Sequence, residues 1–253
     1  MKQQKILGID VGASGIKGAI VDIATGQIIS DRFRLETPHP VMPDAVAETF
    51  AQVVKHFDWQ GVIGCGFPAA MRKGVALTAA NIDKAWIGTD VESLFTAATG
   101  HPVYALNDAD AAGVAEIRYG VGRVENGTIL LITIGTGLGS ALFINGQLIP
   151  NTELGHVYLQ GKKNDAEYST SNAARERKEM SYTAWGEKFN EYLKHLNGLF
   201  YPDLIILGGG SSKKYEMFAP CITVPTKVVP AQLLNNAGIV GAAWYAHSKL
   251  IKK

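Results

Sequence analysis

The chain has 253 residues, enough for one large domain or two small ones, and its 47% hydrophobic and 19% charged residues are those of a globular protein. A formal net charge of +1 excludes the broad basic face of a general nucleic-acid binder, though not a local basic groove. Cys65 and Cys221 lie far apart and outside any CxxC spacing, which excludes a disulfide framework and a structural zinc cluster.

The first stretch, Ile6 to Asp22, predicts a β-hairpin. An apolar run ends in Asp10, a small turn follows through Gly12, Ala13, Ser14 and Gly15, and Lys17 leads into a second apolar run. Such a turn offers backbone N–H groups, a hydroxyl and an ammonium to a phosphate, and Asp10 could hold a metal or its waters. No leader peptide is expected, because Lys5 runs straight into this strand. Gln27 to Leu35 predicts a further strand. Asp44 is expected to cap a helix to about Phe57 whose apolar face is Val46, Phe50, Val53, Val54 and Phe57. Val62 to Cys65 reads as a short buried strand opening into the loop Gly66-Phe67-Pro68. Thr78 to Trp86 has no period and reads as a loop carrying Asn81. Thr89 to Glu92 fits a capping box for a helix ending at Gly100. Val103 to Leu106 is a strand ending in Asn107-Asp108, and a helix follows from Ala109 to Tyr119. An acid at that junction lies where open α/β sheets bind ligands.

Near Thr128 the pattern starts again. Gly135-Thr136-Gly137 repeats the first glycine turn, Gly146-Gln147-Leu148-Ile149 repeats Gly26-Gln27-Ile28-Ile29, and Asn235-Asn236-Ala237 repeats Asn107-Asp108-Ala109. The uncharged stretch from Gly127 to Thr152 is broken by glycines and Pro150 and reads as strand and turn, not as a membrane span. Glu153 and His156 follow, then a polar excursion over 160–171. A helix is predicted over 175–200 with Trp185, Phe189, Tyr192, Leu193 and Leu196 inward. A strand at Leu204 to Leu207 runs into Gly208-Gly209-Gly210, which could pass close to a phosphate or form a tight turn. A last helix, about Ala237 to Leu250, could return to the first half. Two similar α/β halves facing one cleft are expected, with residues 1–107 and 236–253 forming a smaller domain and 108–235 a larger one.

Asp108 is the best general base in the chain, with capping of the following helix as the plain alternative. Asn107 beside it could hold a hydroxyl. Glu153 and His156 could accept from and donate to neighbouring sugar hydroxyls. Arg72, Lys73, Lys84, Lys162 and Lys163 are loop cations that a chain-like polyphosphate would engage.

Together, the stretches Asp10 to Gly18, Asn107 to Ala111, Gly135 to Ser140 and Glu153 to His156 resemble the ROK sugar kinases, of the actin, hexokinase and Hsp70 superfold. Gly66-Phe67-Pro68, Thr78 to Trp86, Ala173 to Lys178 and Pro202 to Gly210 are similar to its polyphosphate-dependent glucokinase branch. The resemblance implies two duplicated RNase H-like α/β domains and phosphoryl transfer to the 6-hydroxyl of glucose. It implies that Gly66, Phe67, Pro68, Asn81, Asn107, Asp108, Glu153, His156 and Glu167 meet the hexose, with Asp108 as base. It further implies that Asp10, Gly12, Ser14, Gly15, Lys17, Gly135, Thr136, Gly137, Gly208 and Gly209 meet the phosphates, with Mg²⁺ near Asp10. The donor is polyphosphate, ATP or both, and mannose or glucosamine remain open beside glucose. A cytoplasmic homodimer with no nucleic-acid or membrane partner is expected.

Three departures from the family pattern stand out. Ala13 replaces a common glycine, and would cost about 1 kcal/mol if that position needed a positive φ. Ala69 replaces a common glycine after Pro68. The cysteine-rich zinc motif is missing after His156, so no zinc is expected. Two rivals stand beside the kinase: a non-catalytic sugar-sensing regulator, which would carry a DNA-binding helix pair ahead of the first strand, and an ATPase or polyphosphatase acting without a sugar acceptor.

Overall fold

The computed structural model describes residues 4–80 and 82–251, and the chain divides into two α/β units. Unit 1 comprises Met1–Tyr119 and Asn236–Lys253; unit 2 comprises Gly120–Asn235.

In unit 1 the chain runs through β1 (Lys5–Gly12), β2 (Gly15–Asp22), β3 (Phe33–Leu35), α1 (Pro43–His56), β4 (Ile63–Phe67), a small hairpin of β5 (Met71–Arg72) and β6 (Val75–Ala76), α2 (Val91–Thr99), β7 (Val103–Asn107) and α3 (Asp108–Tyr119). Its main sheet has the order β3-β2-β1-β4-β7. The first three strands are antiparallel, and β1, β4 and β7 are parallel. Unit 2 runs through β8 (Thr128–Ile134), β9 (Leu138–Ile144), β10 (Gln147–Ile149), α4 (Ala166–Thr170), α5 (Asn172–Arg177), α6 (Tyr182–Phe200), β11 (Leu204–Gly208) and β12 (Lys227–Pro230). The order is β10-β9-β8-β11-β12, again an antiparallel trio extended by parallel strands. The sequence echoes therefore mark a repeated sheet. The last helix, α7 (Ala237–Ile251), belongs to unit 1.

Parallel strands covered on both faces must be apolar almost throughout, and β4 and β11 are buried at every position. On one side of the unit 1 sheet, α1 contributes Phe50, Val53 and Val54 to a core with Leu7, Ile9, Phe67, Trp86 and Phe95. Phe50 stacks on Phe95 with ring centroids 4.3 Å apart. Elsewhere α7 packs on β1, β4 and α3. There the backbones touch: a Cβ on Gly64 would lie 1.9 Å from the Ala242 carbonyl oxygen, and one on Gly241 would lie 1.7 Å from that of Ala111. In unit 2 the predicted inner face of α6, Trp185, Phe189, Tyr192, Leu193 and Leu196, packs on Leu130, Ile132, Ile205 and Leu207.

Several expectations are corrected. The domain boundary falls after Tyr119 rather than after residue 107, because α3 packs along α7; unit 1 is consequently the larger. The strand expected over 27–35 is interrupted: Ile28 bridges Val21 and Phe33–Leu35 form β3, but between them the Ile20 N–H donates to Ser30 Oγ (2.9 Å) instead of to a ladder carbonyl. Asp44 does not cap α1. Met42 is the N-cap with no side-chain bond, Pro43 starts the helix, and Asp44 sits in the first turn where its charge suits the dipole. The capping box at Thr89 is replaced by Asp90, which accepts from Ser93 N (3.0 Å), while Glu92 reaches across to Ala105 N (2.9 Å). The helix over 175–200 is broken: α5 ends at Arg177, Glu179 has φ 49°, and Ser181 caps α6 by accepting from Ala184 N (3.1 Å). The polar excursion over 160–171 contains α4, with Ala166 and Thr170 buried.

Candidate active site

In unit 1 the predicted residues gather at the carboxyl ends of three parallel strands. Asp10 on β1 pairs in register with Gly66 on β4, and Gly66 with Leu106 on β7, one residue before Asn107. Asp10 forms an ion pair with its cross-strand neighbour Lys17 (3.0 Å), and its carboxylate lies against Gly238 in the first turn of α7. The fully buried Cys65 is pushed up in pKa by burial, then by the charges of Asp10 and Glu92, so it is a core thiol and not a nucleophile.

Asn107 does the capping that was the alternative role for Asp108. Its Oδ1 accepts from Ala109 N (2.9 Å) and Asp110 N (3.1 Å), and its Nδ2 donates to the Ala69 carbonyl (3.2 Å), tying the Gly66-Phe67-Pro68 loop to the start of α3. Asp108 Oδ1 also accepts from Ala109 N (2.8 Å), and the residue is half-buried. The Phe67 side chain is fully buried on Trp86 (centroids 4.6 Å apart), so a sugar contact there would have to be through its backbone. Asn81 lies outside the described residues. Lys84, read as a loop cation, is used structurally, donating to the Ala79 carbonyl (3.0 Å).

The first turn is a two-residue loop, with Gly12 paired to Gly15 and Ala13-Ser14 exposed at its tip. Ala13 does not adopt a positive φ, so the cost attached to it does not arise. Two side chains hold the turn. Thr37 Oγ1 donates to the Gly12 carbonyl, and Arg34 Nη2 donates to the Ser14 carbonyl. Arg34 is the cross-strand neighbour of Lys17, which puts two cations beside the turn. Sequence reasoning missed Arg34; only its strand pairing brings it there.

In unit 2, His156 Nδ1 is 2.8 Å from Asp165 Oδ2. That hydrogen bond raises the His156 pKa against the opposing effect of burial, and the charges of Glu167, Asp165 and Glu153 raise it further. Glu153 is raised chiefly by burial, with His156 opposing and Glu167 adding to the shift. One carboxylate is thus bonded to the imidazole and the charges of two more act on it, giving an acceptor-rich cluster with a ring donor. Ser140 Oγ holds the backbone on either side of Glu153, donating to the Thr152 carbonyl and accepting from Leu154 N (3.0 Å). Glu167 joins this cluster to the second glycine turn, since its Oε2 accepts from Leu138 N (2.7 Å).

The second turn is more internally bonded than the first. Gly135 N donates to the Gly137 carbonyl and the Gly135 carbonyl accepts from Asn172 N, both at 3.0 Å, so the Gly135 N–H is already engaged. Gly209 has φ 77° with an extended ψ, and a Cβ there would sit 2.5 Å from the Ile134 backbone. The Gly208-Gly209 segment is thereby explained as a tight crossing over the end of β8. Among the described residues, no group of three or more His, Cys, Asp or Glu side chains could hold a metal ion, and no helix is long and apolar enough to cross a membrane.

The chain is similar to known proteins in sequence and in fold. The model of the ROK family matches residues 6–172. Polyphosphate glucokinase of Mycobacterium tuberculosis is 48% identical over 242 residues, covering 95% of this chain and 91% of that one. The crystal structure of inorganic polyphosphate/ATP-glucomannokinase from Arthrobacter sp. strain KM superposes with a TM-score of 0.93 at 44% identity, covering 98% of this chain and all of that one (100%). A ROK family glucokinase from Streptomyces griseus, in complex with glucose and AMPPNP, shares the fold at a TM-score of 0.84 and 23% identity, covering 96% of this chain and 99% of that one. The family model's match to residues 6–172, together with the repeated five-stranded sheet, makes this protein a member of the ROK family.

Proposed function

We propose that this chain transfers a phosphoryl group from inorganic polyphosphate, ATP or both to the 6-hydroxyl of glucose, giving glucose 6-phosphate. The observation that carries the reading is the 48% identity, along 95% of this chain, to a polyphosphate glucokinase. Asp108 supports it as a half-buried carboxylate opening a helix at a strand's carboxyl end. In the transfer, Asp108 takes the hydroxyl proton as the sugar oxygen bonds to the terminal phosphorus, and the bond from that phosphorus to the departing phosphate breaks. The Asn107 amide has a second Nδ2 hydrogen for a sugar hydroxyl, and Glu153 and His156 serve as hydroxyl ligands. Ser14, Lys17 and Arg34 offer positive charge and donors to the phosphates.

Asp10 suits Mg²⁺, an ion that typically takes one or two carboxylates and completes its shell with substrate phosphates and water. A single carboxylate beside the first turn fits that mode, whereas an all-protein cage does not. When bound, Mg²⁺ supplies charge neutralisation on the phosphates. A cytoplasmic homodimer belongs to the same proposal; sedimentation velocity checks the assembly.

Mannose is a second acceptor to consider, because the Arthrobacter protein at 44% identity is a glucomannokinase. The deciding assay supplies ATP and polyphosphate in separate tubes, with Mg²⁺ and glucose, mannose or no sugar. Sugar-dependent formation of hexose 6-phosphate is expected. Equal phosphate release with and without sugar would instead identify a hydrolase.

A further inference from the structure

One charged feature of unit 2 has no part in the chemistry above. A depression of about 210 Å³ is lined by four lysines from three places in the chain: Lys162 and Lys163 ahead of α4, Lys178 just after α5, and Lys188 on α6. Two carboxylates share the lining, and both are already engaged. Asp165 bonds His156 and caps α4 through Tyr168 N (3.1 Å), and Glu191 pairs with Lys162 at 3.5 Å. Among the described residues, Lys163 and Lys188 have no ion-pair partner. Lys178 lies over the Tyr168 ring (5.2 Å), as does Arg177 (4.7 Å).

We propose that this depression binds a stretch of inorganic polyphosphate, holding the chain rather than its reacting end. Three features select that ligand. The excess of lysine over carboxylate calls for an anion with several charges, because one phosphate would leave cations facing each other. The cations are lysines, compact charges on flexible stems, which grip any segment of a uniform polymer without demanding one geometry. Arg177 and Lys178 both lie over the Tyr168 ring, which adds a further cation beside the depression. The inference deepens the polyphosphate-donor reading and rests on it, since it gives a long donor a foothold that ATP lacks. Asp165 also links the depression to His156, placing it beside the sugar-ligand cluster of the same unit.

The test replaces the exposed lysines together, Lys163→Gln, Lys178→Gln and Lys188→Gln, with Lys194→Gln on the same helix as control. Equilibrium binding of fluorescently end-labelled long-chain polyphosphate to the whole protein is measured first. The triple variant should bind about tenfold more weakly, as expected when three exposed positive charges are removed at once. Binding to wild type should fall with added salt, and the control should match wild type. In turnover assays the KM for long-chain polyphosphate should rise by a similar factor, with the KM for ATP, the KM for glucose and kcat on ATP unchanged. Unaltered polyphosphate binding in the triple variant, or an equal loss in the Lys194 control, would overturn the site. A wild type that binds the polymer at these lysines yet never transfers from it would overturn only the donor reading.

Discussion

Asp108 and Asn107 are adjacent, yet they do different work. Asn107 fastens α3 and the Gly66-Phe67-Pro68 loop, and Asp108 stands half-buried beside it. Asp108→Asn should therefore lower kcat by about 10²–10⁴-fold, the usual range for a lost general base, while glucose affinity measured by calorimetry stays near wild type. Near-normal turnover would remove Asp108 from the base role. Asn107→Ala should behave differently, costing stability as well as activity, because a cap is lost. His156 gives a second prediction. Its pKa is raised first by the Asp165 hydrogen bond. The pair's contribution to stability is therefore complete below the ordinary value of about 6.5 and is lost as pH rises through the higher folded value. Asp165→Asn should bring the imidazole titration, followed by NMR, back down towards the ordinary value; an unmoved titration would rule out Asp165 as the cause. Asp108 was legible in the sequence, because an acid that ends an apolar strand and opens a helix is a local pattern. Asp165 and Arg34 were not, because no spacing rule links His156 to Asp165 or Ser14 to Arg34.

At the scale of elements, the places where prediction slipped share a cause. Thr89 and Asp44 each satisfy a local capping rule, but Asp90 holds the start of α2, and Glu92 is drawn away to Ala105 on β7. The break between α5 and α6 is set by Ser181, whose hydroxyl takes a backbone N–H that an unbroken helix would give to a carbonyl. The α3–α7 contact offers a sharp test. Gly241 sits where a Cβ would fall 1.7 Å from the Ala111 carbonyl oxygen, a backbone atom that cannot swing aside. Gly241→Ala should cost about 3 kcal/mol or more in urea unfolding, at the upper end of overpacking penalties. Ala at Gly198, which has nothing within 4 Å, should cost no stability by that route.

For the whole molecule, the last helix is part of the first unit. Unit 1 has α7 packed on β1, β4 and β7, so its sheet loses part of its covering without the C-terminal segment. Deleting residues 236–251 should abolish hydrogen-exchange protection at β1, β4 and β7; retained protection in those strands would show that unit 1 folds without α7. Local sequence was enough to specify the α/β class, the repeated order of elements, the inward faces of α1 and α6, and the ROK resemblance. All of these rest on periodicity, turn chemistry and motif order, which neighbouring residues express on their own. Long-range packing was needed to place α3 with α7, Phe67 in the core, Arg34 on the first turn, and four lysines from three places in the chain around one depression. Those facts depend on which distant segments pack together, and burial and long-range pairing carry no signature in local spacing.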